Sequence, residues 1–240
     1  MLSSALSNIG REALRIVLPS ACIACGGEVP WRDRVASCCG SCWRSLPRIE
    51  SAKCRSCALP LHSGGQQCIS CSADPIPVDW CDAWGEYRDG LERVLHAFKF
   101  QRHDFLDSHL AALLVATIHA RGDLSFDAIA AVPMHSAKRR RRGYNQAELL
   151  AEAIGKKLGI RFDRKLLSKR GEKETQSTLA RAARAANVRD VFEASTAADE
   201  QSILLIDDIC TTGETFRACA RELLRQGARR VCAISLAKAT

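Results

Sequence analysis

Four Cys-x-x-Cys pairs, Cys22/Cys25, Cys39/Cys42, Cys54/Cys57 and Cys68/Cys71, fall within a stretch of fifty residues. Two intervening residues let a tight turn aim both sulfurs at one ion, and two such knuckles complete a tetrahedral zinc shell. Sequential pairing predicts one Zn2+ on the first two knuckles and a second on the last two; the spacing also permits an interleaved pairing. Either arrangement closes both sites to water and makes them structural. Redox chemistry at a single Cys-x-x-Cys would call for a β-α-β setting that this stretch lacks. A second chemical group stands far downstream, where Asp207 and Asp208 precede Thr211-Thr212-Gly213-Glu214-Thr215. Carboxylates accept hydrogen bonds from neighbouring sugar hydroxyls. A loop of small and hydroxylated residues running into a helix turns its N–H groups inward, where unpaired donors and the macrodipole favour an anion. Twin acids beside such a cradle suit a sugar phosphate. The plainer alternative is a capped β-α turn whose acids are solvated.

The elements that must hold these residues alternate along the chain. Ile203–Ile206 reads as a strand buried on both faces, with the acid pair at its carboxyl end, where open α/β sheets bind ligands. The following helix, Phe216 to Gln226, places Phe216, Ala220, Leu223 and Leu224 on one face. Upstream, Trp80–Tyr87 reads as a strand, Leu91–Phe98 as a helix, and Phe105–Ala120 as a longer helix burying Leu106, Leu110, Leu113, Leu114 and Ile118. Phe126–Val132 is a further strand leaving through Pro133-Met134-His135, and Asn145 caps a helix to Leu158. With a last strand at Arg230–Leu236, the alternation predicts an α/β fold with a parallel sheet. The expected organisation is an N-terminal helix in 1–20 (over Leu2–Leu18), a double zinc-ribbon module in 21–74 and an α/β domain in 79–240. Ala73–Val78, with Pro75 and Pro77, would link the last two.

Composition supports this division. Of 240 residues 47% are apolar, enough for a core, while ten of the thirteen cysteines lie between Cys22 and Cys81. Arg11, Glu12 and Arg15 interrupt any secretory apolar core and no run reaches membrane-spanning length, so the reading is a cytoplasmic protein without membrane insertion, where clustered cysteines hold metal. Cys38 is a spare beside Cys39; His62 is a loop histidine; Cys81, Cys210, Cys219 and Cys232 read as core thiols. The formal charge of +8 counts every cysteine as neutral, and eight thiolates with two zinc ions would halve it. Local cations remain: Lys138–Arg142 is five in a row, and Arg161–Arg189 carries nine Lys or Arg against three acids. Lys138, Arg140 and Arg142, next to a helix start, suit a diphosphate; a solvated face and contact with nucleic acid are the other readings. At 5% aromatic residues the chain has few stacking platforms for single-stranded DNA, Trp31 and Trp43 among them.

The stretch Ile203 to Phe216 resembles the phosphoribosyl pyrophosphate (PRPP) loop of type I phosphoribosyltransferases. In that likeness Asp207 and Asp208 contact the ribose hydroxyls and Thr211–Thr215 wraps the 5′-phosphate. The wider pattern resembles the ComF family: four zinc knuckles, Arg142-Gly143-Tyr144-Asn145-Gln146-Ala147-Glu148-Leu149, then Gln176, Leu179, Arg184, Asn187 and Phe192, and the PRPP loop. That family joins a double zinc ribbon to a phosphoribosyltransferase domain. The resemblance implies a competence-associated helper of DNA uptake in natural transformation, with PRPP and Mg2+ as ligands and an unidentified acceptor of phosphoribose. It also implies a segment, Lys169 to Phe192, that closes over the site with Lys169, Arg170, Lys173, Arg181 and Arg184, and Lys99 is a further phosphate contact to consider. Purine-salvage members of the superfamily place an acid where this chain has Thr211, which argues against oxopurine salvage. The other function classes are a catalytically inactive PRPP sensor and a single-stranded-DNA adaptor using the ribbons and basic stretches.

Overall fold

The computed structural model describes residues 20–29, 34–61, 64–100, 106–169 and 191–240. The Leu2–Leu18 helix, Trp31, His62, Phe105, Arg170, Lys173, Gln176, Leu179, Arg181, Arg184 and Asn187 lie outside the described residues. In chain order the strands are β1 (Ser20–Ala21), β2 (Glu28–Val29), β3 (Arg34–Val35), β4 (Cys38–Cys39), β5 (Cys81–Glu86), β6 (Ala128–Ala131), β7 (Leu167–Lys169), β8 (Phe192–Ala194), β9 (Ser202–Cys210) and β10 (Arg230–Lys238). The α-helices are α1 (Gly40–Arg44), α2 (Ile69–Ala73), α3 (Asp89–Phe100), α4 (Asp107–Arg121), α5 (Ser136–Arg142), α6 (Gln146–Leu158) and α7 (Glu214–Arg225). Among the described residues no helix is long and apolar enough to cross a membrane.

Residue contacts group the chain into two units, Met1–Pro47 with Arg88–Leu106, and Arg48–Tyr87 with Asp107–Thr240. The first unit holds the antiparallel pairs β1–β2 and β3–β4, helix α1, and helix α3, which buries Leu91, Val94, Leu95, Ala97 and Phe98 at helical spacing. A Cβ at Gly90 would lie 3.2 Å from Leu46 Cδ2 and 3.6 Å from Ala24 Cβ, so α3 starts tight against the first ribbon half.

The second unit is built on a parallel sheet of order β5-β10-β9-β6. Ile203, Leu204, Leu205 and Ile206 are wholly buried, as are Ala128, Ile129 and Ala130 of β6, which is what a sheet covered on both faces requires. Alternate residues divide between the faces. Cys81, Ala83, Ala128, Ala130, Ile203, Leu205, Val231 and Ala233 share one core with Phe216, Cys219, Ala220 and Leu223 of α7. The alternate positions face the other side, where α4 and α6 pack on each other and on the sheet. Leu224 of α7 is 38% exposed and Leu113 of α4 is half-buried, outside the core stripes expected for them, because each lies at the margin of its helix's buried arc.

The side of the sheet that carries α7 has a second occupant. Cys54, Cys57, Cys71 and Ile76 belong to that same core. The chain from Arg48 to Arg55 runs antiparallel along the outer edge of β5: Arg48 bridges Gly85, the Ile49 N–H donates to the Trp84 carbonyl (3.1 Å), and the Cys81 N–H donates to the Arg55 carbonyl (2.6 Å). Lys53 then ion-pairs with Asp82, which is 2% exposed and also receives Arg121 at 2.9 Å. The second half of the ribbon is therefore built into the sheet unit, covering an edge whose N–H and C=O groups would otherwise stand open.

Candidate functional site

The cysteines assemble in sequence order. One group is Cys22, Cys25, Cys39 and Cys42, the other Cys54, Cys57, Cys68 and Cys71, and within each the sulfurs lie within 4.8 Å of one another. The two are built alike. In the first knuckle the Cys22 N–H donates to the Gly27 carbonyl and the Gly26 N–H to the Cys22 carbonyl; in the second, Cys54 donates to Leu59 and Ala58 to Cys54, each at 2.8 Å. Gly26 and Ala58 both take positive φ, 76° and 60°. Each third cysteine, Cys39 or Cys68, caps a five-residue helix that carries the fourth. A tetrahedron with Zn–S bonds of about 2.3 Å has sulfur–sulfur edges of about 3.8 Å. Cys57 and Cys68 stand 3.8 Å apart, so the residues fit zinc.

Thiolate character is already favoured at three positions. Burial resists ionisation of Cys22, but the backbone N–H groups of Cys39, Cys25 and Ala24 bring it down. The Ser41 hydroxyl, with the Cys42 N–H and thiol, holds Cys39 down to about 6. Burial resists ionisation of Cys54, but the backbone N–H groups of Cys68, Ser56 and Cys57 bring it down to about 7. Metal ligation needs that deprotonated form. Cys38 is wholly buried outside the first group, and burial followed by the Cys22 charge pushes it up to about 12. Trp43 is half-buried in α1.

At the other site, β9 continues past the expected end at Ile206 and carries Asp207 and Asp208 within the strand. The reason is β10, which stays in register alongside from Ser235 opposite Asp207 to Lys238 opposite Cys210. On the opposite flank β6 stops at Ala131, and the Val132 N–H makes a last bond to the Ile206 carbonyl (2.9 Å) before Pro133 turns the chain away. The acids thus border a step in the sheet, both half-buried. As neighbours on a strand they point to opposite faces. Asp207 lies on the α7 side, where burial and then its charge push the Cys219 thiol up.

Thr211 and Thr212 are exposed, Gly213 is buried at φ 87° as the N-cap of α7, and Glu214 and Thr215 form its exposed first turn. The Glu214 N–H points to Thr212 Oγ1 at 3.4 Å. Lys238, 4% exposed, donates to the Thr211 carbonyl and stands 4.0 Å from the Cys210 sulfur. Cys210 is lowered by the Cys81 thiol beside it and by Lys238, against its burial.

The cation run forms the short helix α5, capped by the His135 side chain and ended by Gly143 at φ 87°. It leaves β6 at the same carboxyl edge that carries the acids on β9. Lys138 and Arg140 are exposed; Arg142 is half-buried and reaches Gln146 Oε1 at 3.2 Å. Arg139 is committed elsewhere, gripping both oxygens of Glu148 at 2.8 and 2.9 Å. Asn145 caps α6 through the Ala147 N–H and donates to the Val132 carbonyl (3.0 Å), which fixes the exit of β6. Lys169 pairs with Phe192 across β7–β8 and lies 5.5 Å over its ring. A cleft of about 470 Å³ opens beside them, floored by Thr215, Ala218 and Arg221 of α7.

Two features of this site escape the sequence. Lys238 reads as one cation ending an apolar strand, and its place under the loop follows only from the β9–β10 register. Arg217, 7% exposed, reads as a surface residue of an amphipathic helix. It instead donates to Asp74 Oδ1 (3.0 Å), the Asp74 carbonyl (2.8 Å), the Pro75 carbonyl (2.9 Å) and Glu214 (3.0 Å).

Comparison with known proteins agrees with the paired cysteine groups. Residues 13–85 match the family model of the double zinc ribbon domain. The chain is 28% identical over 220 residues to the DNA utilization protein YhgH of Escherichia coli O6:H1, covering 90% of this chain and 96% of that protein. It is 27% identical over 225 residues to competence protein F of Haemophilus influenzae, covering 91% and 96%. Among solved structures, adenine phosphoribosyltransferase from Thermoanaerobacter pseudethanolicus superposes with a TM-score of 0.36 at 21% identity, over 54% of this chain and 78% of that one. The chain thus carries a double zinc ribbon and aligns with these two relatives along about nine-tenths of its length.

Proposed function

We infer that the chain binds PRPP at the carboxyl end of β9 and transfers phosphoribose to an acceptor in the service of DNA uptake. The observation that carries this reading is the continuity of one element. The acid pair, a turn of exposed Thr211 and Thr212 with buried Gly213, and the first turn of the twelve-residue helix α7 follow one another without a break. In this reading Thr211, Thr212, Gly213, Glu214 and Thr215 hold the 5′-phosphate at the helix N-terminus. Asp207 and Asp208 take the two ribose hydroxyls from a ligand lying across the strand end. Lys138, Arg140 and Arg142, leaving the neighbouring strand at the same edge, meet the diphosphate. Rate enhancement comes from holding the ribose in place and stabilising the departing diphosphate. Magnesium bound with PRPP would neutralise part of the leaving group's charge, and carboxylates such as Asp207 and Asp208 are the hard oxygen ligands it takes. Support for the biological setting comes from the names of the relatives, a DNA utilization protein and a competence protein.

Calorimetric titration with PRPP and magnesium tests the reading. Wild type should give saturable heat. Because hydrogen bonds to charged groups are worth about 1.5–3 kcal/mol each, Asp207→Asn with Asp208→Asn should weaken binding by about 100-fold or more, with an unchanged melting temperature. No saturable heat from wild type would overturn the proposal. Diphosphate release across a panel of amine and ring-nitrogen acceptors then separates an enzyme from a PRPP sensor.

The exposed cations Lys138, Arg139, Arg140 and Arg141 favour one second reading, an adaptor for single-stranded DNA. Its affinity should fall steeply between 50 and 200 mM salt, roughly as the number of neutralised phosphates dictates, and binding indifferent to salt would dismiss it.

A further inference from the structure

We propose that the second cysteine centre, and not the first, is a positioning element of the sugar-phosphate site: metal held by Cys54, Cys57, Cys68 and Cys71 fixes the loop that cradles the phosphate. This rests on the PRPP reading of that loop and adds to it a wall supplied by the ribbon.

Three contacts join the centre to the loop. The Cys210 thiol, at the end of β9, donates to the carbonyl of the ligand Cys57 at 3.6 Å. Gly213, the hinge between loop and helix, packs so closely under Ile76 that a Cβ there would fall well inside contact distance of Ile76 Cδ1, and it would lie 3.8 Å from Cys57 Cβ. Ile76 is itself 2% exposed and belongs to the core shared by the sheet, α7 and the second cysteine group. The third contact is Arg217, one turn into α7, which grips the Asp74 and Pro75 carbonyls immediately beyond α2, the helix that carries Cys71. The first turn of α7 is therefore held between the sheet behind it and the ribbon above it. Two of the three contacts reach the ribbon three to five residues beyond the ligand Cys71, at Asp74, Pro75 and Ile76, and the third is made by the ligand Cys57 itself.

A small, polar metal knuckle draws much of its folding free energy from the ion. Without metal, Cys57 and the α2–Asp74 segment lose the restraint that holds them, and the loop loses its wall. The coupling must act in both directions: ligand that stiffens the loop must also tighten the second metal site, by the same factor. The first centre, Cys22, Cys25, Cys39 and Cys42, belongs to the other unit.

The test uses the full chain loaded with two zinc ions. Hydrogen exchange at residues 211–216 is followed in wild type, in Cys68→Ser with Cys71→Ser, in Cys39→Ser with Cys42→Ser, and in Ile76→Ala. Emptying the second centre should speed loop exchange by about tenfold or more, and emptying the first should leave it unchanged. Ile76→Ala should speed loop exchange while both zinc ions stay bound, a result that general unfolding would not give. In wild type, saturating PRPP with magnesium should slow chelator-driven release of one zinc equivalent by about fivefold or more, within the usual range of such couplings, and leave the other unaffected. Unchanged loop exchange after loss of the second zinc, with PRPP still bound by wild type, would overturn this inference alone. Failure of wild type to bind PRPP would overturn the reading of the site and this role with it.

Discussion

Gly213→Ala should destabilise the sheet unit by about 2–5 kcal/mol and weaken PRPP binding together with it. Two separate costs add at this position. A non-glycine residue in the left-handed region, here φ 87°, costs about 1–2 kcal/mol. The new methyl group also meets Ile76, which is buried and packed, and overfilling a core of this kind costs about 1–3 kcal/mol. The two costs can be separated because only the second depends on Ile76. Ile76→Val removes the clashing Cδ1 for about 0.5–1.5 kcal/mol on its own. The double variant should therefore be less destabilised than the two single changes added together, by about 1 kcal/mol or more, leaving the backbone strain behind. Denaturant midpoints for the four proteins measure this directly. A Gly213→Ala protein as stable as wild type would show that the close approach to the ribbon does not exist in solution.

Asp82→Ala should be the most destabilising single change at any charged residue of the sheet unit. Asp82 is 2% exposed on β5, takes the Ala83 N–H at 2.7 Å and Arg121 at 2.9 Å, and ion-pairs with Lys53. Lys53 in turn donates to the Ala83 carbonyl at 3.1 Å, and Arg121 lies 4.5 Å over the Trp80 ring. Removing the carboxylate leaves the Lys53 and Arg121 side chains, 20% and 31% exposed, without their shared partner, and leaves the Ala83 N–H without its acceptor. Hydrogen bonds to a charged group are worth about 1.5–3 kcal/mol each, and water reaching both cations offsets part of the loss, so about 2–3 kcal/mol is expected. For a chain of this size that lowers the melting temperature by about 5–10 °C. Because Lys53 precedes the ligand Cys54, the same variant should also release the second zinc more readily to a chelator. A loss under about 1 kcal/mol would mean that water reaches the site and screens it.

Much of this architecture is legible in the amino-acid order, for identifiable reasons. Asn145 followed by Leu150 and Ile154 on one face defines α6, because cap and stripe agree. The Cys-x-x-Cys spacing gives the knuckles, and their sequential grouping is the simplest of the pairings it allows. What local pattern cannot show is set by neighbours distant in the chain. Asp207 and Asp208 look like the end of a strand because charge follows four apolar residues, yet β10 carries the ladder on to Cys210. Lys138–Arg142 has no apolar stripe to announce a helix, and α5 forms between a His135 cap and a Gly143 stop. Residues 48–55 and 74–76 look like connection on composition alone. Their roles come from Gly85, Trp84, Cys81, Gly213 and Arg217, which meet them only in the folded unit.

The run of Arg48 to Arg55 along β5 bears on how the protein can be divided. A fragment trimmed to begin after the last knuckle, the natural cut if the cysteines were a detachable appendage, would discard the outermost seam of its own sheet. The exposed margin would then offer its backbone to any passing copy, so the sheet half travels safely only when its cysteine-bearing hem goes with it.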